Sequence, residues 1–188
     1  MLQFQSKVAQ SKDLIRKLCK LIRHKLYCDN ETAKISHKIT ENILNSEIFK
    51  NSKNIMLFYP LKEEINLLAL LENKDKNFYF PKCDGENLLV CPNCDKFEQN
   101  KYKIFEPVSK PVDDPSILDI IFVPALCADM SFYRLGYGCG YYDKFLSNPK
   151  IKAKKIIPIA KDLLCKDLPL DEFDIKCDYI VCETGFIN

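Results

Sequence analysis

Residues 134–145 read RLGYGCGYYDKF, and three of the chain's five glycines stand at every second position of that run. Gly136, Gly138 and Gly140 free the backbone on both sides of Tyr137 and Cys139, so successive N–H groups can turn inward and approach an anion closely. A turn of this kind cradles phosphate. GYYDKFL, from Gly140, continues at helical spacing, which puts the loop at a helix start, where free N–H groups and the dipole add to the attraction. Arg134 brings a fixed positive charge to the loop, and Asp143 offers a hard oxygen of the kind Mg²⁺ takes. The plain alternative is a tight turn packed by its tyrosines, because a glycine-rich loop without a P-loop lysine or a full dinucleotide fingerprint is a weak signal.

Other side chains with chemical potential are scattered. Cys91 and Cys94 (CPNC), with Cys83 upstream, can grip one side of a zinc ion, but no second pair and no nearby histidine complete a tetrahedral shell. His24 and His37 fall on predicted helices and read as surface residues. Lys12 and Arg16, four apart, share a helical face and by themselves make an ordinary solvated one. Glu64 reads as an acid at a helix N-terminus, Asp174 as part of an acidic loop (DEFDIKCD), and KAKK (152–155) as a solvated loop.

The elements that must position these residues follow from periodicity. Leu14, Leu18, Leu21 and Ile22, with Ile15, Cys19 and Leu26, predict a basic amphipathic first helix. Asp29 and Asn30 offer caps, and Ile35, Ile39, Ile43, Leu44 and Ile48 continue a second helix to about Lys50. A third is expected over Glu64 to Leu71. Strands are expected at 54–59 (ending before Pro60), 77–80 (stopped by Pro81), 88–91, 103–105, 119–123, 155–160 and 178–182. Pro158 marks its strand as an edge or an irregular one. Helices alternating with strands imply an α/β fold: one three-layer domain over 1–188, with an open, mostly parallel central sheet flanked by helices.

A chain of 188 residues with 47% hydrophobic content has enough apolar surface for one core. The 28 basic and 26 acidic residues leave a formal charge of +2, which gives no global pull toward nucleic acid or a membrane and points to a small partner. The opening MLQFQSKVAQSKD lacks the apolar core of a signal peptide, and no run reaches the length of a spanning helix, so a cytoplasmic protein is expected; the oligomeric state is left open, with a monomer favoured. Ten cysteines in such a chain are expected as reduced thiols.

Asp119 to Leu146, DIIFVPALCADMSFYRLGYGCGYYDKFL, resembles the signature of the 5-formyltetrahydrofolate cyclo-ligase family, also called methenyltetrahydrofolate synthetases. The resemblance extends to Lys12 and Arg16, to FYPLKEEI (58–65), to FEPV (105–108) and to LPLDEFDIKCDYIV (168–181). It implies an ATP- and Mg²⁺-dependent enzyme that converts 5-formyltetrahydrofolate to 5,10-methenyltetrahydrofolate on an open α/β fold. Under it, ATP is held by Lys12, Arg16 and Arg134 to Tyr142 (Leu135, Gly136, Tyr137, Gly138, Cys139, Gly140, Tyr141, Tyr142), with Arg134 catalytic. Asp143 and Asp174 match the magnesium ligands, while Tyr59, Glu64, Tyr137 and Tyr141 are assigned to the folate. Cys139 stands where family members often carry glycine or lysine, and residues 85–102 do not align. The alternative is a folate or nucleotide carrier that retains the pocket without catalysis.

Overall fold

The structure is a computed structural model and describes residues 11–187. The expectation about a leader segment therefore falls largely outside the described residues. No described helix is long and apolar enough to cross a membrane.

Helix α1 (Lys12–Cys28) starts where the Ser11 side chain accepts from Leu14 N. Its buried face is Ile15, Cys19 and Arg23, whereas Leu14, Leu18 and Leu21 point outward, 46%, 39% and 68% exposed. Of the expected apolar residues, Ile15, Cys19, Ile22 and Leu26 therefore face the core and the three leucines do not; the inward side also carries Lys12, Arg16 and Arg23. The second expected helix is two: α2 (Glu31–Asn45) and a single turn, α3 (Glu47–Lys50). Ser46 separates them in an extended conformation, ending one helix and capping the next through its side chain.

The main sheet has seven strands in the order β12-β11-β9-β6-β1-β2-β3. Its members are β1 (Asn54–Met56), β2 (Asn77–Asp84), β3 (Asn87–Pro92), β6 (Ile120–Phe122), β9 (Lys154–Pro158), β11 (Tyr179–Cys182) and β12 (Gly185–Ile187). The five inner strands are parallel, and the two edges, β3 and β12, return antiparallel. Successive residues alternate between the faces. Met56, Ile121, Ile157 and Ile180 pack under α1, while Ile55, Ile120, Phe122, Ile156 and Val181 pack with Ile39 and Ile43 of α2 and Phe49 of α3. The mostly parallel sheet between helices is the α/β architecture expected.

Two proline expectations need correction. Strand β2 runs through Pro81, and β9 is an inner strand although it contains Pro158. Tyr79 faces β1, since its carbonyl accepts from Leu57 N, so Pro81, two residues on, turns its missing donor toward a neighbour that has already ended. Ile156 likewise accepts from Val123 N, and Pro158 faces the side that β6 has left.

The predicted helix over 64–71 is also absent. Glu64 closes a turn with Leu61, and only a 3₁₀ segment forms at Leu68–Glu72. Asn66 N donates to the Ser36 hydroxyl and Asn66 Oδ1 accepts from Leu68 N, side-chain bonds that replace the helical ladder. The expected strand at 103–105 lies later, as β5 (Phe105–Pro107), hairpin-paired with β4 (Phe97–Gln99). A small sheet of β7 (Cys127–Asp129), β8 (Arg134–Leu135) and β10 (Leu164–Cys165) was not anticipated. Helix α4 (Tyr141–Leu146) follows the glycine run as predicted.

Candidate active site

In open α/β sheets ligands sit in the crevice beyond the carboxyl ends of the strands. Here Tyr59 follows β1, Cys83 nears the end of β2 and Pro124 follows β6, and all three line one cavity of about 820 Å³. That is toward the upper end of the roughly 300–1,000 Å³ usual for ligand clefts. Helix α1 adds Lys12 and Arg16, the glycine run and α4 add one wall, and the loop between β10 and β11 adds Asp171 to Ile175.

The glycine run earns its composition at two positions. Gly138 (φ +103°) and Gly140 (φ +69°) occupy backbone regions that side chains resist, and a Cβ at Gly138 would lie 3.3 Å from the Arg16 guanidinium carbon. A Cβ at Gly136 would meet open space. Arg16 Nε donates to the Gly136 carbonyl at 3.1 Å, fastening α1 to the loop, and its Nη1 donates to Asp13 at 2.6 Å. Among the described residues, no backbone N–H from Tyr137 to Gly140 has a hydrogen-bond acceptor. The loop therefore borders the cavity with unspent donors.

Arg134 is buried, and its guanidinium donates to Asp143 Oδ1 at 2.9 Å and to the Ile175 carbonyl at 3.2 Å. The same Asp143 oxygen accepts from Ile175 N at 3.2 Å. This stitch brings Asp174 beside Asp143, although 31 positions separate them. Lys12 Nζ in turn donates to Asp174 Oδ2 at 2.6 Å and to Asp171 Oδ2 at 2.7 Å. Burial works against the Lys12 charge, but the hydrogen bonds and charges of Asp171 and Asp174 outweigh it and raise its pKa.

Glu64 is buried at the opposite wall. Its Oε2 accepts from Leu61 N at 2.8 Å, and its Oε1 accepts from the Tyr137 hydroxyl at 3.0 Å. That hydroxyl also accepts from Arg23 Nη1 at 2.6 Å, which lies 3.7 Å from Glu64 Oε1. Burial and the Glu64 charge push the Tyr137 pKa well up, so the phenol stays protonated.

Tyr141 donates to the Gly85 carbonyl at 3.0 Å, and its ring meets that of Tyr102 edge-on, centroids 6.4 Å apart. The Tyr142 hydroxyl is enclosed and has no hydrogen-bond partner among the described residues; burial first, then the Glu64 charge, raises its pKa. Tyr59 packs on Phe105 and Phe97, centroids 4.9 and 5.5 Å away. Leu135 is core at the cavity edge, and Cys139 is exposed at its mouth. All thirteen residues proposed from sequence for nucleotide, folate or metal, other than those already placed on α1, thus border this one cavity.

Sequence reasoning missed several residues here. Arg23 falls on the same α1 face as Lys12 and Arg16, at i+11 and i+7, and that spacing was a usable signal. Tyr102 and Glu106 line the cavity from the β4–β5 hairpin, where no periodicity marked them. Cys91 is buried on β3 and Cys94 Sγ donates to the Lys96 carbonyl; no group of three or more His, Cys, Asp or Glu among the described residues could hold a metal.

Residues 8–183 match the model of the 5-formyltetrahydrofolate cyclo-ligase family. The chain is 30% identical to a 5-formyltetrahydrofolate cyclo-ligase of Mycoplasma genitalium, over 91% of this chain and 97% of that one. It is 25% identical to the mouse 5-formyltetrahydrofolate cyclo-ligase over 78% and 81% of the two chains. Its fold superimposes on the NMR structure of Aquifex aeolicus 5,10-methenyltetrahydrofolate synthetase with a TM-score of 0.80 at 30% identity, covering 93% of this chain and 91% of that one. With the match spanning nearly every element that borders the cavity, the chain belongs to the 5-formyltetrahydrofolate cyclo-ligase family.

Proposed function

We propose that this chain, acting as a single domain and a cytoplasmic monomer, converts 5-formyltetrahydrofolate and ATP to 5,10-methenyltetrahydrofolate, ADP and phosphate. The observation that carries the reading is the meeting, in one cavity, of unspent glycine-loop donors, the Lys12, Arg16 and Arg134 cations, two aspartates and a buried carboxylate. A formamide carbonyl is a poor electrophile. Its oxygen attacks the terminal phosphorus of ATP, ADP departs, and the former carbonyl oxygen becomes part of a phosphate leaving group. The lone pair of the neighbouring folate nitrogen then bonds to the formyl carbon, the C–O bond breaks, and phosphate leaves as that nitrogen gives up its proton.

Phosphoryl transfer asks a protein for positioning and charge neutralisation rather than for a nucleophile. The glycine-loop amides and Arg16 meet the phosphates, Lys12 exchanges its aspartates for phosphate oxygens, and Arg134 supports the wall where charge develops. Glu64 accepts from N–H donors of the pterin, with Tyr59 and Tyr141 as ring contacts. Asp143 and Asp174 suit Mg²⁺: Asp143 Oδ2 and Asp174 Oδ1 have no hydrogen-bond partner among the described residues, and two carboxylates with phosphate and water oxygens form the usual shell. When bound, the ion would neutralise phosphate charge.

The test is methenyl absorbance from 5-formyltetrahydrofolate with and without MgATP, alongside ADP and phosphate release. Product that appears only when both ATP and Mg²⁺ are present is expected. Folate binding without turnover would leave the chain a carrier and overturn the reading.

A further inference from the structure

Arg23 lies behind the cavity wall, yet it touches both of the groups that join the glycine loop to the folate wall. A guanidinium can only donate and an ionised carboxylate can only accept. The Tyr137 hydroxyl between them must therefore accept from Arg23, at 2.6 Å, and donate to Glu64 Oε1, at 3.0 Å. Leu61 N holds the other Glu64 oxygen at 2.8 Å, so each oxygen has one protein partner and a lone pair left over for the cavity. The Arg23 and Glu64 side chains are only 7% and 4% exposed, a setting in which either charge without the other is costly. Tyr137 itself stands between Gly136 and Gly138, in the backbone segment that presents the unspent amides.

We propose that Arg23 is the positioning residue of the folate subsite: it fixes the Tyr137 hydroxyl as a donor to Glu64 and holds the Glu64 carboxylate in place as an acceptor for the pterin. The proposal rests on the reading of Glu64 as the folate acceptor. The groups facing Glu64 are Arg23 from α1, Tyr137 from the glycine loop, the Leu61 amide, and Tyr142 from α4, whose hydroxyl feels the Glu64 charge. Lys20 lies 5.8 Å from the Tyr137 ring on the solvent side of α1. Arg23 is the one cation among them in reach of the carboxylate, so its loss is not made good by a neighbour.

The experiment is equilibrium binding of 5-formyltetrahydrofolate and, separately, of a non-hydrolysable ATP analogue with Mg²⁺, for the parent, Arg23→Met, Arg23→Lys and Tyr137→Phe. Arg23→Met should weaken folate binding about tenfold or more, as expected for losing charged hydrogen bonding at a buried acceptor, while nucleotide affinity changes less than about twofold. Arg23→Lys should recover part of the lost folate affinity without restoring all of it, because the ammonium keeps the charge but lacks the planar fork. If Arg23→Met does not fold, Arg23→Lys and Tyr137→Phe carry the test through selective loss of folate affinity. Equal losses for both ligands, or no recovery of folate affinity in Arg23→Lys relative to Arg23→Met, would reduce Arg23 to a packing residue. A parent chain that binds no folate sinks the proposed function as well, whereas folate binding unchanged in the variants sinks this inference alone.

Discussion

Asp143→Asn separates charge from shape at the centre of the site. Asparagine keeps an oxygen for Arg134 Nη2 and Ile175 N, which Asp143 Oδ1 now serves at 2.9 and 3.2 Å, but it removes the charge. The Arg134 side chain is 3% exposed and that of Asp143 28%, so one end of the pair is partly wet and its energy is discounted for solvent screening. A hydrogen bond to a charged group is worth about 1.5–3 kcal/mol and a neutral one about 0.5–1.5, so the substitution should cost about 1–2 kcal/mol of stability. Each kcal/mol moves Tm by about 2–4 °C in a chain of this size, which predicts a fall of about 2–8 °C with the fold retained. Turnover should fall much further, by about 10²-fold or more, if the carboxylate also holds the metal at the phosphates. Melting curves and methenyl formation over a range of Mg²⁺ separate the two effects. The Mg²⁺ requirement should rise, excess Mg²⁺ should partly restore turnover, and the double variant with Asp174→Asn should be little worse than the poorer single. Additive losses with an unchanged Mg²⁺ dependence would refute the shared-metal argument, and a lowered Tm with normal turnover would make the pair purely structural.

Gly138→Ala forces a Cβ to 3.3 Å from the Arg16 guanidinium at a φ of +103°, a strain of about 1–3 kcal/mol. Calorimetry should show weakened nucleotide binding with folate binding kept, whereas Gly136→Ala, facing open space, should change stability little. Unchanged nucleotide affinity in Gly138→Ala would remove the loop from phosphate binding. The folded-state pKa of Lys12 is raised, so its pairing with Asp171 and Asp174 contributes stability in full below the ordinary lysine value of 10.5 and loses it as pH climbs through the higher folded value. Denaturant melts of the parent and Lys12→Met should therefore converge only in strong alkali; convergence near neutral pH would contradict the pairing. Cys91 is fully buried, so Cys91→Ala combined with Cys94→Ser, which avoids a buried hydroxyl at 91, should keep turnover. Stoichiometric zinc in the purified parent, lost in the double variant, would reverse that conclusion.

The glycine run shows why some of the site was readable. Alternate glycines followed by a helical pattern limit the backbone to a turn that opens onto a helix, and α4 begins at Tyr141 with Gly140 left-handed before it. The acids were harder. Asp174 sits in an ordinary acidic loop until the Ile175 amide and carbonyl meet Asp143 and Arg134, bonds that depend on where β10 and β11, in their two separate sheets, place the loop between them. Glu64 misled for a related reason: its local sequence favours a helix, but Ser36 from α2 takes the Asn66 amide and the turn wins.

Local sequence was enough for what depends on neighbours a few residues away. It determined α1, α2 and α4, most strands of the main sheet, the left-handed turn that needs glycine, and a family signature running from Lys12 to Val181. Tertiary structure alone decided which face of α1 is buried, since Leu14, Leu18 and Leu21 match the helical period as well as Ile15 and Cys19 do. It decided that Pro81 and Pro158 are harmless, because their missing donors face strands that have already ended. It also decided that Arg23, Tyr137 and Glu64 meet: the contact joins three segments up to 114 positions apart, and no spacing rule acts over such a separation.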